Sequence, residues 1–256
     1  MELNRKLFAS VSADAEGVMV DQVTIGLGYT AVTTSSGSIG IAATGVAVDG
    51  CCPGSLDMID YEQRPAIELL QCILAADPMG RAMALALVNA LNHRRAAGYP
   101  EDSKNTTLFD RFGILTGAHV AMVGYFPPLV RFLEQNKVPL SVIDRARGLG
   151  DTTTFYRQLE SWADVLLLTA TSIINNTAEP ILSHTAPRVK TAILGPTTPM
   201  LPGAFDHLPV HMLAGTAITD RSAVLKIVRH GGGARDLKPF SRKVYWSRND
   251  MRHEVE

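Results

Sequence analysis

At 256 residues the chain can hold one large domain or two modest ones, each with a real hydrophobic core. Hydrophobic residues at 46% against 19% charged exclude a disordered polymer, and a formal charge of -1 excludes bulk attraction to nucleic acid or an anionic membrane. Three cysteines, two of them adjacent at Cys51 and Cys52, make no disulfide framework, and no apolar run reaches the length of a bilayer span.

The opening residues, MELNRKLFASVSADAEG, lack the uninterrupted apolar stretch of a secretory leader, so the expected compartment is the reducing cytoplasm. Residues 18–26 (VMVDQVTIG), 29–35 (YTAVTTS) and 38–44 (SIGIAAT) are rich in β-branched residues and read as three strands, the last two joined by a turn at SSGS. A Gly- and Cys-containing loop, 48–56, follows. Two helical patterns come next, at 64–76 with Pro65 in its first turn and at 77–95 with Asp77 as cap. Asn89, on the apolar face of the second helix, needs hydrogen-bond partners there, and a structural bond is the simpler assignment than a ligand contact. This order predicts a small antiparallel sheet covered by helices on one face.

The polar, irregular stretch 98–117 marks a boundary, which divides the chain into an α+β domain at 1–105 and a Rossmann-like α/β domain at 106–256. Strands are expected at 119–124, 140–144, 164–170, 190–195 and 209–213, with helices at 127–136, 152–162 and 172–184 between the first four. Repeated βα units of this length make a right-handed parallel sheet. A last helix at 222–230 is closed by Gly231–Gly233, and a short strand fits Lys243–Trp246.

In an open parallel sheet, ligands bind beyond the carboxyl ends of the strands. Here those ends read Gly124-Tyr125-Phe126, Asp144-Arg145, Thr169 through Thr171 to Asn175-Asn176-Thr177, and Gly195-Pro196-Thr197-Thr198. Such a rim of hydroxyls, carboxamides and helix N-termini suits a carboxylate, phosphate or similar oxygen-rich group. The same residues also serve as ordinary caps and turns.

Asp144 lies twenty residues beyond Gly124, the spacing of a ribose-binding acid. The turn Gly-Tyr-Phe-Pro-Pro, however, lacks the glycines that let a pyrophosphate approach the backbone. NAD and FAD are therefore not expected, and S-adenosylmethionine fits only slightly better. Asp144 is otherwise a strand-end acid pairing Arg145 or Arg147. The seven histidines are scattered, and Pro209 between His207 and His211 breaks a one-turn helical metal spacing. Cys51 and Cys52 are weak candidates for a metal, since adjacent thiolates without a C-x-x-C partner chelate poorly.

Several segments together resemble the family described as putative heavy-metal chelation, in which an enolase-N-terminal-like domain precedes a Rossmann-like domain. They are VTIGLGYTAV (23–32), the Cys-Cys before Gly54-Ser55-Leu56, MGRAMALALVNAL (79–91), VAMVGYFPPL (120–129), LLLTATSIINNT (166–177), ILGPTTPMLPGAF (193–205) and HMLAGTAITD (211–220). The resemblance implies a ligand pocket where the two domains meet, completed in one version by the second subunit of a homodimer. It would be lined by Gly124 to Phe126, Thr171, Asn175 to Thr177 and Gly195 to Pro199. It implies a divalent metal ion as the cofactor to test first. Two positions depart from similar sequences: Tyr125 stands where histidine is usual, and Asp144 where glutamate is expected.

Two functional classes follow. The first is a protein that binds a small molecule, a metal or a metal chelate. The second is a lyase- or transferase-like enzyme of small-metabolite or metallophore assembly, with Asp144 as its acid/base. Neutral polar rims serve both, so the sequence leaves turnover open.

Overall fold

A computed structural model describes residues 1–44 and 59–248. In chain order, helix α1 (Glu2–Ala15) leads into strands β1 (Val20–Ile25), β2 (Tyr29–Thr34) and β3 (Ile39–Ala43). Then come α2 (Ala66–Leu70), continued as a 3-10 turn at Gln71–Leu74, α3 (Pro78–Leu91), α4 (His93–Ala97) and α5 (Thr106–Phe112). The second half runs β4 (Val120–Val123), α6 (Pro127–Gln135), β5 (Leu140–Ile143), α7 (Thr152–Ser161), β6 (Val165–Thr169), α8 (Thr171–Ile174), α9 (Ala178–Ser183) and β7 (Lys190–Leu194). It closes with β8 (Met212–Ile218), α10 (Arg221–Arg229), α11 (Ala234–Leu237) and β9 (Ser241–Ser247). Contacts divide the chain into one unit of 1–98 with 216–242 and a second of 99–215 with 243–256.

In the first unit, β1, β2 and β3 form an antiparallel meander. Helix α1, which the strand-first reading of the N-terminus misses, buries Leu3, Leu7, Val11 and Ala15 at four-residue spacing along one stripe. Asn4 Nδ2 ties it to the carbonyl of Ile73 at 3.0 Å. Helix α3 starts as its sequence predicts: Asp77 accepts from the amides of Met79 and Gly80, and Pro78 opens the first turn. Asn89 donates to the carbonyl of Ile41 at 2.9 Å, a bond from α3 to β3.

The sheet is covered on both faces, not one. Ile39, Ile41 and Ala31 pack with Val224 and Val228 of α10, while Gly40, on the opposite face of β3, lies against the backbone of α3. The reason is that residues 216–242 return to this unit, although the sequence places them in the C-terminal domain. Asp220 caps α10, and Arg221 pairs with Asp21 of β1.

The second unit is built on a six-stranded sheet of order β5-β4-β6-β7-β8-β9, parallel at every pairing from β5 through β8. Val120, Met122, Val165, Leu167, Ala192, Leu194 and Met212 form a core with α5 and α6, where Phe109 stacks on Phe132 at 4.8 Å. Helix α7 covers β4 and β5 on the other face. Four expectations need correction. The irregular 98–117 stretch contains α5, whose Leu108, Phe109 and Phe112 are buried. The strand expected at 209–213 runs instead over Met212–Ile218. The helix expected at 172–184 breaks into α8 and α9, because Asn176 takes a left-handed φ of 55°. The short final strand is longer than expected, at Ser241–Ser247.

Two stability predictions follow from this packing. An added methyl at Gly40 would stand 2.2 Å from the Ala86 carbonyl oxygen and the Ala90 nitrogen, both backbone atoms that cannot step aside. Gly40→Ala is expected to cost about 3 kcal/mol, read as a lower urea midpoint. The second concerns His211, whose Nδ1 accepts from the Thr191 amide at 3.1 Å. Burial holds this imidazole below its ordinary 6.5, and Arg248 and Lys190 repel its proton further. Protonation therefore favours the unfolded chain: the contribution is full above pH 6.5 and is lost as pH falls through the lower folded-state value. His211→Asn, which keeps an acceptor and cannot titrate, should flatten the stability profile below pH 6.5.

Candidate functional site

The strand order reverses at β4, with β5 on one side and β6 on the other. That is the switch point at which open α/β sheets leave a crevice beyond their strand ends. Gly124 follows β4 with φ 84°, and an added methyl would meet Cβ and Cγ2 of Thr169 at 3.0 Å. Only glycine lets the two strand ends approach this closely. Gly124, Tyr125 and Phe126 are all half-buried.

Hydrogen bonds hold the strand ends in line. The amide of Gly124 donates to Ile143 O at 2.8 Å, Ala170 to Leu194 O at 3.0 Å, and Gly195 to Ala214 O at 3.0 Å. The first amide beyond a strand is thus committed to the next strand three times over. A ligand here would rely on side chains and on other amides, not on a glycine-lined cradle.

The side chains available are hydroxyls and a guanidinium. Thr169 Oγ1 lies 3.3 Å from Thr171 Oγ1 and accepts from the Thr171 amide at 3.4 Å. Ser172 donates to the Thr169 carbonyl at 2.6 Å and, at 2% exposure, is part of the interior. Arg147 was named in the sequence only as a partner for Asp144. Its guanidinium carbon stands 5.5 Å above the Tyr125 ring while the side chain stays half-exposed.

Asp144 is a tie between β4 and the loop after β5. Its Oδ2 accepts from the Tyr125 amide at 2.9 Å and faces Arg147 Nε at 3.5 Å; its Oδ1 accepts from the Arg147 amide at 3.2 Å. Both oxygens are engaged, and only 15% of the side chain is exposed.

The structure therefore brings Gly124 to Phe126, Asp144, Thr171 and Gly195 to one edge of the sheet. Asn175, Asn176 and Thr177 lie one short helix further on, where the Thr177 amide and hydroxyl both reach the Ser172 carbonyl. Pro196 is half-buried, but Thr197 and Thr198 are 3% and 2% exposed. They belong to the interior, because the chain after β7 folds over β8, whose Gly215 leaves room for Met200 and the Thr198 carbonyl. Cys51 and Cys52 lie outside the described residues. Among the described residues, no three His, Cys, Asp or Glu side chains gather as a metal cluster, and no helix is long and apolar enough to cross a membrane.

Asp144→Ala would remove the acceptor of the half-buried Tyr125 amide. It is expected to cost about 2 kcal/mol in urea denaturation, with Asp144→Asn costing less because one acceptor remains.

Comparison with known proteins agrees with this architecture. Two family models, both described as "Putative heavy-metal chelation", match residues 107–247 and 9–92. No curated protein matches the chain. Among solved structures, a protein of unknown function from Pyrococcus horikoshii superposes with a TM-score of 0.80 at 21% identity, over 96% of this chain and 100% of its own. Another protein of unknown function, from Desulfitobacterium hafniense DCB-2, gives 0.71 at 18% identity, over 95% and 99%. The chain belongs to the family described as putative heavy-metal chelation.

Proposed function

We propose that the strand-end edge of the C-terminal unit binds a small, oxygen-rich anion, such as a polycarboxylate or its metal chelate. The observation that carries this reading is the juxtaposition at the switch point of Gly124 with Thr169 and Thr171. Open sheets bind ligands at that place, beside the close approach of the two strand ends. The Thr169 and Thr171 hydroxyls can each donate to a carboxylate oxygen or accept from a hydroxyl. Arg147, half-exposed over Tyr125, adds the one strong cationic donor of this group and favours negative charge. The family description adds support for a ligand that carries or captures a metal.

The reading is one of equilibrium binding. Calorimetry with citrate, malate and their zinc and nickel complexes tests it directly. At least one of these is expected to bind, and Thr171→Val and Arg147→Gln should each weaken it about tenfold, the effect of one lost hydrogen bond to a charged group. Affinities unchanged in both variants would remove the strand-end edge as the site.

A further inference from the structure

Four of the chain's histidines lie in side chain–acid pairs or buried positions of the second unit, and one of them is unlike the rest. His119 and His184 hold carboxylates on Nδ1, Asp164 at 3.0 Å and Glu160 at 3.2 Å, and their side chains are more than 40% exposed. His211 accepts from a backbone amide. These three have ordinary structural partners.

His207 does not. It lies in the connection between β7 and β8, and its Nε2 is 3.5 Å from Oε1 of Glu179, in the first turn of α9. The two side chains are only 16% and 17% exposed. Both ring nitrogens are shielded from solvent, and neither makes a hydrogen bond among the described residues. A neutral imidazole has one donor and one acceptor, and a shielded one normally satisfies at least one of them.

We propose that Glu179 and His207 are two ligands of a transition-metal site. A direct N–H···O bond would close to about 2.7–3.2 Å. Two ligand atoms each about 2.0–2.1 Å from one ion in tetrahedral arrangement stand about 3.4 Å apart, close to the separation seen. One imidazole nitrogen and one carboxylate oxygen select borderline ions such as zinc, cobalt or nickel over calcium or magnesium. Two protein ligands leave further positions for backbone oxygens, water or donors of an incoming chelate, unlike a closed structural site. Glu179 also follows Thr177 by two residues, so an ion held there would brace the Asn175–Thr177 turn from behind. The proposal does not depend on the strand-end reading.

The test uses the full chain, stripped with chelator and carrying Cys51→Ser and Cys52→Ser so that thiolates cannot contribute. Zinc and cobalt titrations by calorimetry, with cobalt absorption in the visible, are expected to show one equivalent bound. Glu179→Gln and His207→Gln should each weaken binding at least about tenfold. In the parent chain, zinc should shift the ring-nitrogen NMR signal of His207 while leaving those of His119 and His184 in place. No binding, binding indifferent to both substitutions, or an unmoved His207 ring signal overturns the proposal. If His207→Gln fails to fold, Glu179→Gln and the ring signal decide. Because the strand-end site is read with metal-free citrate and malate as well as with their complexes, failure of one site leaves the other standing.

Discussion

The second unit depends on the reversal of strand order at β4. Chain leaving β4 passes to β5 on one side, and chain leaving its neighbour β6 passes to β7 on the other. The two connections diverge, which is the condition under which open sheets leave a crevice beyond their strand ends. Closing that space with an ordinary residue would push Thr169 away, so the glycine after β4 sets the spacing of the whole edge. The same edge is then stitched sideways by the amides of Gly124, Ala170 and Gly195. Geometry and hydrogen bonding agree there, and that agreement gives the edge a fixed shape.

Legibility in the sequence followed the length scale of the cause. Local causes were plain. Asp77 announced α3, β-branched runs announced the three-stranded meander, and continuous apolar runs announced β4, β6 and β7. The strand-end positions followed from the same runs, so Gly124, Asp144, Thr171 and Gly195 were in reach. Sheet order was not, because nothing in a strand's own residues says which neighbour it will pair. Without the order, the switch point could be named in principle but not placed.

The errors share a cause. Helix α1 was readable from Leu3, Leu7, Val11 and Ala15, yet those residues were weighed only as a leader sequence. The strand at 212–218 was placed early, at 209–213, because its later residues Gly215 and Thr216 lack an apolar run; Gly215 is there to admit Met200. The return of α10 to the first unit is a long-range event, and its amphipathic stripe would have fitted either sheet. Thr197 and Thr198 were assigned to a rim from their place after a strand and from the family resemblance, neither of which reports the burial the structure shows for both.

Polar groups in the second unit therefore fall into two physical kinds. Those at the strand ends are partly exposed and engaged: Asp144 with the Tyr125 amide and Thr169 with Thr171. They can exchange a protein partner for a ligand oxygen at small net cost, since both are hydrogen bonds and water can mediate the swap. His207 is the opposite case, shielded and lacking a hydrogen bond where desolvation has already been incurred. An engaged and accessible group is suited to reversible recognition, whereas a shielded and unsatisfied one gains most from an ion that stays.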